Sequence, residues 1–466
     1  MKLSQILAQV KTAYTLPIGS IPDEIEIEDI AIDSRLVKKN SVFFALPGKA
    51  KDGFEFIESA IKNGASLIIS EQEKLLVEFL KIFYAPLPSN IYAITGTNGK
   101  TSAAEFTRQI LEFLGKKSAS IGTLGVTCEA LIQAQLQNSS LTTPDIVSLY
   151  KNLHILRKND VDDVAIEVSS IGLEQGRAAG LKFAAGAFTN FTQDHLDYHK
   201  SMEEYFRCKS LIFDQARSAV LNSDIPEFEK LKKICAEKNL NVIEYGRKAR
   251  DLRLEQDLSF SYKGKKYKFE LIASGEFQQF NMLCALGNVL SAHELDEKEL
   301  ANLVNNFSNL HSAAGRMQLA GIAPNQAKIY IDFAHTPDAL TNVLHLARKL
   351  TNSCVLVLFG CGGDRDKTKR PIMGQIACEL ADLVIITDDN PRTEKPETIR
   401  AEILKSCDPK KTLEINGRKA AINYAISLLK PNDILILAGK GHEKYQIIGT
   451  KKTEFDEEKI VKDSLV

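Results

Sequence analysis

No stretch of the 466 residues approaches the ~20 consecutive apolar positions needed to span a bilayer. The opening MKLSQILAQVKTAY lacks the continuous apolar core of a secretory leader, so the chain reads as cytoplasmic and without membrane insertion. A dominant charge is missing too, since 59 Lys and Arg stand against 60 Asp and Glu, a formal net charge of −1. That excludes a global positive field for nucleic acid or an anionic membrane, and any anionic ligand has to be held by local groups. The eight cysteines include no C-x-x-C pair, which excludes a zinc ribbon and a disulfide framework and leaves scattered reduced thiols. Cys361, in a Gly-rich loop, is the one thiol whose position singles it out for reactivity. Tryptophan, internal repeats and low-complexity tracts are absent. What is present is an ordinary globular composition, 44% apolar and 26% charged, which fits neither disorder nor a fibre.

At roughly 150 residues per domain the length predicts about three domains, and the pattern divides accordingly. Residues 1–88 mix short β-rich runs such as SVFFAL with a helical stretch and close on YAPLPSN, a linker-like segment. Residues 89–314 alternate apolar runs (IYAIT, DDVAIEVS, AGAFTNF, SAVLN) with amphipathic helices, interrupted by a strand-rich insert, LSFSYKGKKYKFELI. Residues 315–466 alternate more cleanly, with strands KIYIDFA, CVLVLFG, LVIITDD and DILILAG separated by helices, as in a doubly wound sheet. The expected fold class is α/β: a small N-terminal α/β domain, a central parallel-sheet domain of P-loop type and a C-terminal Rossmann-like domain.

The sharpest local signal is GTNGKT, residues 96–101, between a β-like run and a helix beginning near Thr101. Glycines let backbone wrap a polyphosphate, a helix N-terminus offers free N–H groups, and Lys100 adds a full charge. Thr101 carries the hydroxyl that a phosphate-bridging Mg2+ ion takes as a ligand. Nucleotide binding follows; phosphate transfer, switching and ligation all stay open from this loop alone.

Further along, Glu167 ends one β-like run, and the next leads into DHLDYH with His195 and His199. In a parallel sheet these ends share a rim with the loop. Glu167 suits Mg2+, whereas the imidazole of His195 is an unusual ligand for that ion, and His199 reads as structural. Lys209 lies among apolar residues, where burial lowers an amine's pKa and makes it nucleophilic.

Together these segments resemble the Mur-ligase family, the ATP-dependent amide ligases of peptidoglycan precursor synthesis. The motifs run in order from DSR (33–35) through GTNGKT, LTTPD (141–145), EVSS (167–170), DHLDYH (194–199), CKSLIF, GRM (315–317), DFAHTPDAL (332–340), GCGGDRDKTKRP (360–371) and DDNPR (388–392) to AGKGHE (438–443). Within the family they are most similar to members that add meso-2,6-diaminopimelate to UDP-N-acetylmuramoyl-L-alanyl-D-glutamate. The resemblance implies a uridine-nucleotide domain, a central ATPase domain and a C-terminal amino-acid domain, acting as a monomer on small-molecule substrates.

Position by position, it implies that Ser34, Lys49, Ala50 and Lys51 contact the UDP moiety, and that Thr142, Thr143, Ser169, Gln175 and Arg177 contact the muramoyl-peptide. Gly96, Thr97, Asn98, Gly99, Lys100, Thr101 and Ser102, with Asn281, Arg316, Asp332 and His335, are the implied ATP contacts or domain couplers. Lys100, Glu167, His195 and Lys209 are the implied catalytic set. Lys209 is implied to react with carbon dioxide, giving a carbamate whose oxygens, with Thr101, Glu167 and His195, serve Mg2+.

Arg365, Asp389, Asn390, Pro391, Arg392, Gly439 and Glu443 are implied around the incoming amino acid. Diaminopimelate carries one carboxylate more than lysine, and an arginine fork reads a carboxylate bidentately. Arg392 of DNPR is therefore the expected selectivity residue. Three positions depart from the family pattern: Ile171 where histidine is frequent, Leu141 where asparagine is, and Gln278 where asparagine is. The competing readings are a lysine-adding or other Mur-type ligase, and a catalytically silent nucleotide-binding protein of the same fold.

Overall fold

The computed structural model describes residues 1–13, 25–48, 52–137, 139, 141–271 and 275–465. Lys49, Ala50 and Lys51, expected at the uridine nucleotide, lie outside the described residues.

Three sheets carry the chain. The first is a small parallel sheet of β1 (Asp29–Ala31), β2 (Ser41–Ala45) and β3 (Ala65–Ser70), in that order. The second comprises β4 (Asn90–Thr95), β5 (Ser118–Gly122), β6 (Gly125–Thr127), β7 (Asp163–Glu167), β8 (Phe183–Phe188), β9 (Ala216–Asn222), β10 (Asn241–Gly246), β11 (Leu252–Leu254), β12 (Ser259–Tyr262) and β13 (Lys265–Lys268). Its order is β13-β12-β11-β10-β9-β8-β4-β7-β5-β6, parallel from β11 to β5, with antiparallel strands at both edges. The strand-rich insert expected to interrupt this sheet instead extends it: β12 and β13 form a hairpin added to its edge.

The third sheet is built from β14 (Gln318–Ile322), β15 (Lys328–Asp332), β16 (Val355–Phe359), β17 (Leu383–Ile386), β18 (Thr412–Glu414) and β19 (Ile434–Ala438), in the order β14-β15-β19-β16-β17-β18. The four strands read from sequence are β15, β16, β17 and β19. Beyond them the structure adds β14, antiparallel on β15, and β18, whose three residues are too few to show a period. A separate hairpin pairs β20 (Tyr445–Ile448) with β21 (Lys451–Glu454).

The α/β alternation thus sorts into mainly parallel sheets covered by helices. Fully apolar strands such as VLVLF and ILILA are buried along their whole length, as strands covered on both faces must be. Helix Lys100–Phe113 departs from the amphipathic pattern its sequence suggests. It is packed between the central sheet and helix Glu276–Ala292, so Glu105, Thr107 and Gln109 are buried with its apolar residues. Each of the three is hydrogen-bonded: Glu105 to Arg108 and Ser120, Thr107 to Ala103 O and Asn288, and Gln109 to the backbone of His311.

One buried ion pair ties the C-terminal sheet to helix Glu457–Ser464. Arg418 donates to Glu457 at 2.6 Å and to the carbonyl of Ala438 at 2.7 Å, with both side chains inaccessible to solvent. Removing one member of such a pair strands the other charge. Glu457→Gln is accordingly expected to cost about 3–5 kcal/mol in the unfolding transition of this part of the chain, measurable by urea titration.

Candidate active site

Strand β4 lies between β7 and β8; the chain leaves β4 toward β5 on one side and leaves β8 toward β9 on the other, so the direction of winding reverses between β4 and β8. Such a reversal opens a crevice where ligands bind in α/β sheets. The loop 96–101 fills that point. Gly96 has φ 143° and Gly99, the N-cap of the helix, has φ 84°. Both also need the missing side chain, because a Cβ would overlap Thr189 at the first and Asn281 at the second. Lys100 folds back so that Nζ donates to the carbonyls of Gly96 and Thr97, at 2.9 Å each.

Glu167, at the end of β7, points at the same loop. Its carboxylate accepts from the Thr101 hydroxyl at 3.0 Å, from the Thr123 N–H at 2.8 Å and from the Thr123 hydroxyl at 3.1 Å. Gly122 makes room for it, since a Cβ there would overlap the carboxyl group. Burial raises the Glu167 pKa, partly offset by Lys100. One carboxylate and one hydroxyl beside a phosphate-type loop are hard oxygen donors in the number that suits Mg2+, which keeps waters and phosphate oxygens as its other ligands. The residues present therefore fit that ion.

Lys209, on helix Met202–Ser210, is almost completely buried. Its Nζ donates to the Gly96 carbonyl at 2.8 Å and sits 4.5 Å from the centre of the Tyr205 ring. Burial, reinforced by Lys100, drives its pKa well below the usual lysine value. A neutral amine is the form that attacks carbon dioxide, so the environment fits a carbamate.

His195 adopts left-handed backbone, φ 55°, with its ring 3.5 Å from Asp194, and burial lowers its pKa. Burial alone would raise the Asp194 carboxyl, but His195, His335 and Lys369 together hold it below the usual carboxylate range. His199 donates to or accepts from Ser170 at 2.8 Å, in keeping with its structural reading.

The C-terminal sheet closes over this rim. Arg316 donates to the Thr101 hydroxyl at 3.1 Å and stacks 4.6 Å from the Phe333 ring. Asn98 donates to Asp338 at 2.8 Å. Both His335 and Lys369 stand 3.9 Å from Asp194, and desolvation holds the His335 imidazole down to about 4. Asp332 accepts from the N–H groups of Met317 and Ala334, at 2.7 Å each, which fixes the junction that carries Arg316.

Two cavities result. One, about 310 Å³, has the loop, Thr142, Glu167, Ser169, His195 and Lys209 on one wall; on the other are His335, Arg365, Asp389, Asn390, Arg392, Gly439 and Glu443. The second, about 540 Å³, is lined by Ser102, Phe191, Tyr245, Phe277, Phe280, Asn281, Asp332 and Asp338, among others. They share Asn98, Gly99 and Arg316.

Several expected residues stand apart. Thr143, Gln175, Arg177 and Pro391 line neither cavity. Thr143 bonds Ser169 and the Glu167 carbonyl, and Arg177 donates to the Thr143 carbonyl and to Gln175. Ser34 is buried in the first sheet's domain, where its carbonyl accepts from Asn63. Cys361, the thiol singled out for a reactivity test, borders the smaller cavity, but it is buried and desolvation pushes its thiol up to about 12, which disfavours the reactive thiolate. Sequence reasoning missed Asp194, Asp338 and Lys369 as residues that join the two walls, although all three sit inside motifs it had marked.

Sequence comparison gives these walls a family. The pattern of the Mur ligase family, catalytic domain, matches residues 26–103; that of the Mur ligase middle domain matches 94–289; and that of the Mur ligase, glutamate ligase domain, matches 315–441. A curated relative, the UDP-N-acetylmuramoyl-L-alanyl-D-glutamate--2,6-diaminopimelate ligase of Rickettsia conorii, is 39% identical over 465 residues, covering 94% of this chain and 95% of the relative. The chain belongs to the Mur ligase family.

A second ligase of the same description, from Mesorhizobium japonicum, is 40% identical and covers 97% of this chain and 98% of its own. A solved structure of a UDP-N-acetylmuramoyl-L-alanyl-D-glutamate--2,6-diaminopimelate ligase superposes with a TM-score of 0.66 at 29% identity, covering 100% of this chain and 98% of the other. Set in a Mur ligase, the departures from the family pattern acquire physical meaning. Gln278 is buried and its carbonyl accepts from Asn281 at 3.0 Å, so the longer amide orients the neighbour that lines the larger cavity. Ile171 gives the smaller cavity an apolar wall, and Leu141 is exposed.

Proposed function

We propose that this Mur ligase adds meso-2,6-diaminopimelate to the D-glutamyl side chain of UDP-N-acetylmuramoyl-L-alanyl-D-glutamate at the expense of ATP. The observation that carries this reading is the smaller cavity. It sets a phosphate loop with Glu167 and Lys209 opposite a wall holding Arg365, Arg392, Asp389 and Glu443, an arrangement suited to a phosphorylated carboxylate meeting a doubly zwitterionic amino acid.

The larger cavity, with its aromatic side chains and Asn281, suits an adenosine, and its shared border at Asn98, Gly99 and Arg316 leads the phosphates to the loop. In the reaction the γ-phosphate passes to the D-glutamyl carboxylate, giving an acyl phosphate. The diaminopimelate amine attacks that carbon, and the amide, ADP and phosphate are released. Lys100 and Arg316 neutralise charge on the transferring group, and the loop N–H groups hold the polyphosphate. Thr101 and Glu167 would hold Mg2+, with a carbamate on Lys209 and His195 supporting a second ion; bound there, the metal supplies further charge neutralisation. Closure of the C-terminal wall, through Arg316, Asn98 and Asp338, keeps water from the acyl phosphate. We assign residues 1–88 to uridine-nucleotide binding, 89–314 to ATP and 315–466 to the amino acid.

The test is phosphate release with Mg-ATP and the UDP-muramoyl-dipeptide, comparing meso-diaminopimelate, L-lysine and no amino acid, with the product weighed by mass spectrometry. Release and a matching mass gain with diaminopimelate alone are expected. Equal use of lysine would overturn the assigned selectivity, and no turnover by ATP-binding protein would overturn the reaction.

A further inference from the structure

Beyond β19 the chain passes through Gly439 into Lys440, whose side chain is completely buried. Its Nζ lies 3.1 Å from Asn390 Oδ1, 3.5 Å from Glu443 Oε2 and 3.6 Å from Asp389 Oδ1. The rings of Tyr445 and Phe455 are each centred 5.9 Å from it. An ammonium without water persists only where it is paired, and here it stands between two carboxylates and an amide of the amino-acid wall.

The hydrogen bonds of Asn390 give this cation a specific consequence. Its Oδ1 accepts both from Lys440 and from the Ile447 N–H, at 2.9 Å, which uses both lone pairs. Its Nδ2 donates to Glu443 Oε2 at 2.9 Å and keeps one further N–H. Flipping the amide would set its NH2 against the Lys440 ammonium and the Ile447 N–H, donor against donor. Asn390 can therefore offer a ligand a donor and never an acceptor.

We propose that Lys440 is a positioning residue for the incoming amino acid. It locks Asn390 as a donor for a substrate carboxylate, and it holds Asp389 and Glu443 side by side, in spite of their like charge, for a substrate ammonium. The ligand so recognised is a zwitterionic α-amino-acid centre. The inference rests on the reading of this cavity as the amino-acid site.

The test uses the full-length enzyme. Lys440→Met keeps the apolar stem against Tyr445 and Phe455 and removes the ammonium. It is expected to raise KM for the amino acid about 10- to 100-fold, the loss of a hydrogen-bonded charge, while kcat and the KM values for ATP and the UDP-substrate stay within about threefold of wild type. Lys440→Gln, which can still donate to Asn390, is expected to lose less. In an Asn390→Ala background Lys440→Met should raise KM by clearly less than it does in wild type, because the part of its effect that runs through Asn390 is already lost while its hold on Asp389 and Glu443 remains.

Wild-type protein that turns over another amino acid in place of diaminopimelate would overturn the substrate reading, and Lys440 would then be judged on the KM of the amino acid used. Unchanged KM in Lys440→Met, equal loss toward all three substrates, or failure of both variants to fold would overturn the role of Lys440.

Discussion

Replacement of Lys209 by methionine is expected to lower kcat about 10²- to 10³-fold, the scale on which a preorganised electrostatic group acts, with a much smaller change in KM for ATP. The amine is buried, donates to the Gly96 carbonyl and is held well below the usual lysine value by desolvation and by Lys100, a shift toward the neutral form that reacts with carbon dioxide. Lys209→Arg should fail as badly as methionine, since a guanidinium keeps the cation and cannot become an oxygen donor. Intact mass in bicarbonate buffer should show wild-type protein gaining one carbon dioxide, and short carboxylates should restore part of the activity of Lys209→Met but none of that of Lys209→Arg. An arginine variant close to wild type would sink the carbamate.

Arg392→Ala is expected to lower kcat/KM for meso-diaminopimelate by about 10²-fold or more, the cost of leaving a charged partner unpaired in a closed site, and to abolish the preference over L-lysine. Three features hold this arginine. Its backbone is left-handed, φ 51°, a strained state for a long side chain. The hairpin β20–β21 secures that strain, with the Arg392 N–H donating to Ile447 O at 3.1 Å and the Gly449 N–H to Arg392 O at 2.7 Å. Nη1 then donates to Gly363 O at 2.8 Å, which sets the plane of the guanidinium and leaves its other donors for a carboxylate. Arg392→Lys restores charge without the fork and should recover only part of the loss. Measuring kcat/KM for both amino acids in each variant checks this; a discrimination ratio unchanged in Arg392→Ala would move selectivity to another residue.

The loop at 96–101 and the carboxylate at 167 were legible because local chemistry writes them: glycines where backbone must turn, a lysine and hydroxyl at a helix start, a carboxylate ending an apolar run. Strands β15, β16, β17 and β19 were legible for the same reason, being uninterrupted apolar runs of a buried sheet. β14 and β18 were not, because an edge strand is half exposed and a three-residue strand has no period to read. The burial of Glu105 and Gln109 within a helix that looks amphipathic was hidden, since their partners lie at Ser120 and His311. The walls of the site were hidden likewise: nothing local says that Asn98 meets Asp338 or that Asp194 faces Lys369, contacts spanning well over a hundred residues. Lys440 lay in plain view inside AGKGHE, and a lysine two residues past a wholly buried strand was the available signal that its charge had to be paired indoors.

The hairpin β12–β13 has a further consequence for how copies of this protein meet. A ten-stranded sheet ending in a free strand exposes a row of unpaired backbone groups to any neighbouring molecule, and such a row invites a second sheet to continue it. Here the outermost strand reads KKYK and its three lysines are exposed, while the opposite edge, β6, is only three residues long. Lys265 and Lys266 pair with Glu297 and Asp257, so a molecule approaching at the β13 edge must displace charged side chains before it reaches the backbone, and at the β6 edge it finds almost nothing to pair with. The hairpin thus acts as a fender that disfavours edge-to-edge pairing between the central sheets of two copies.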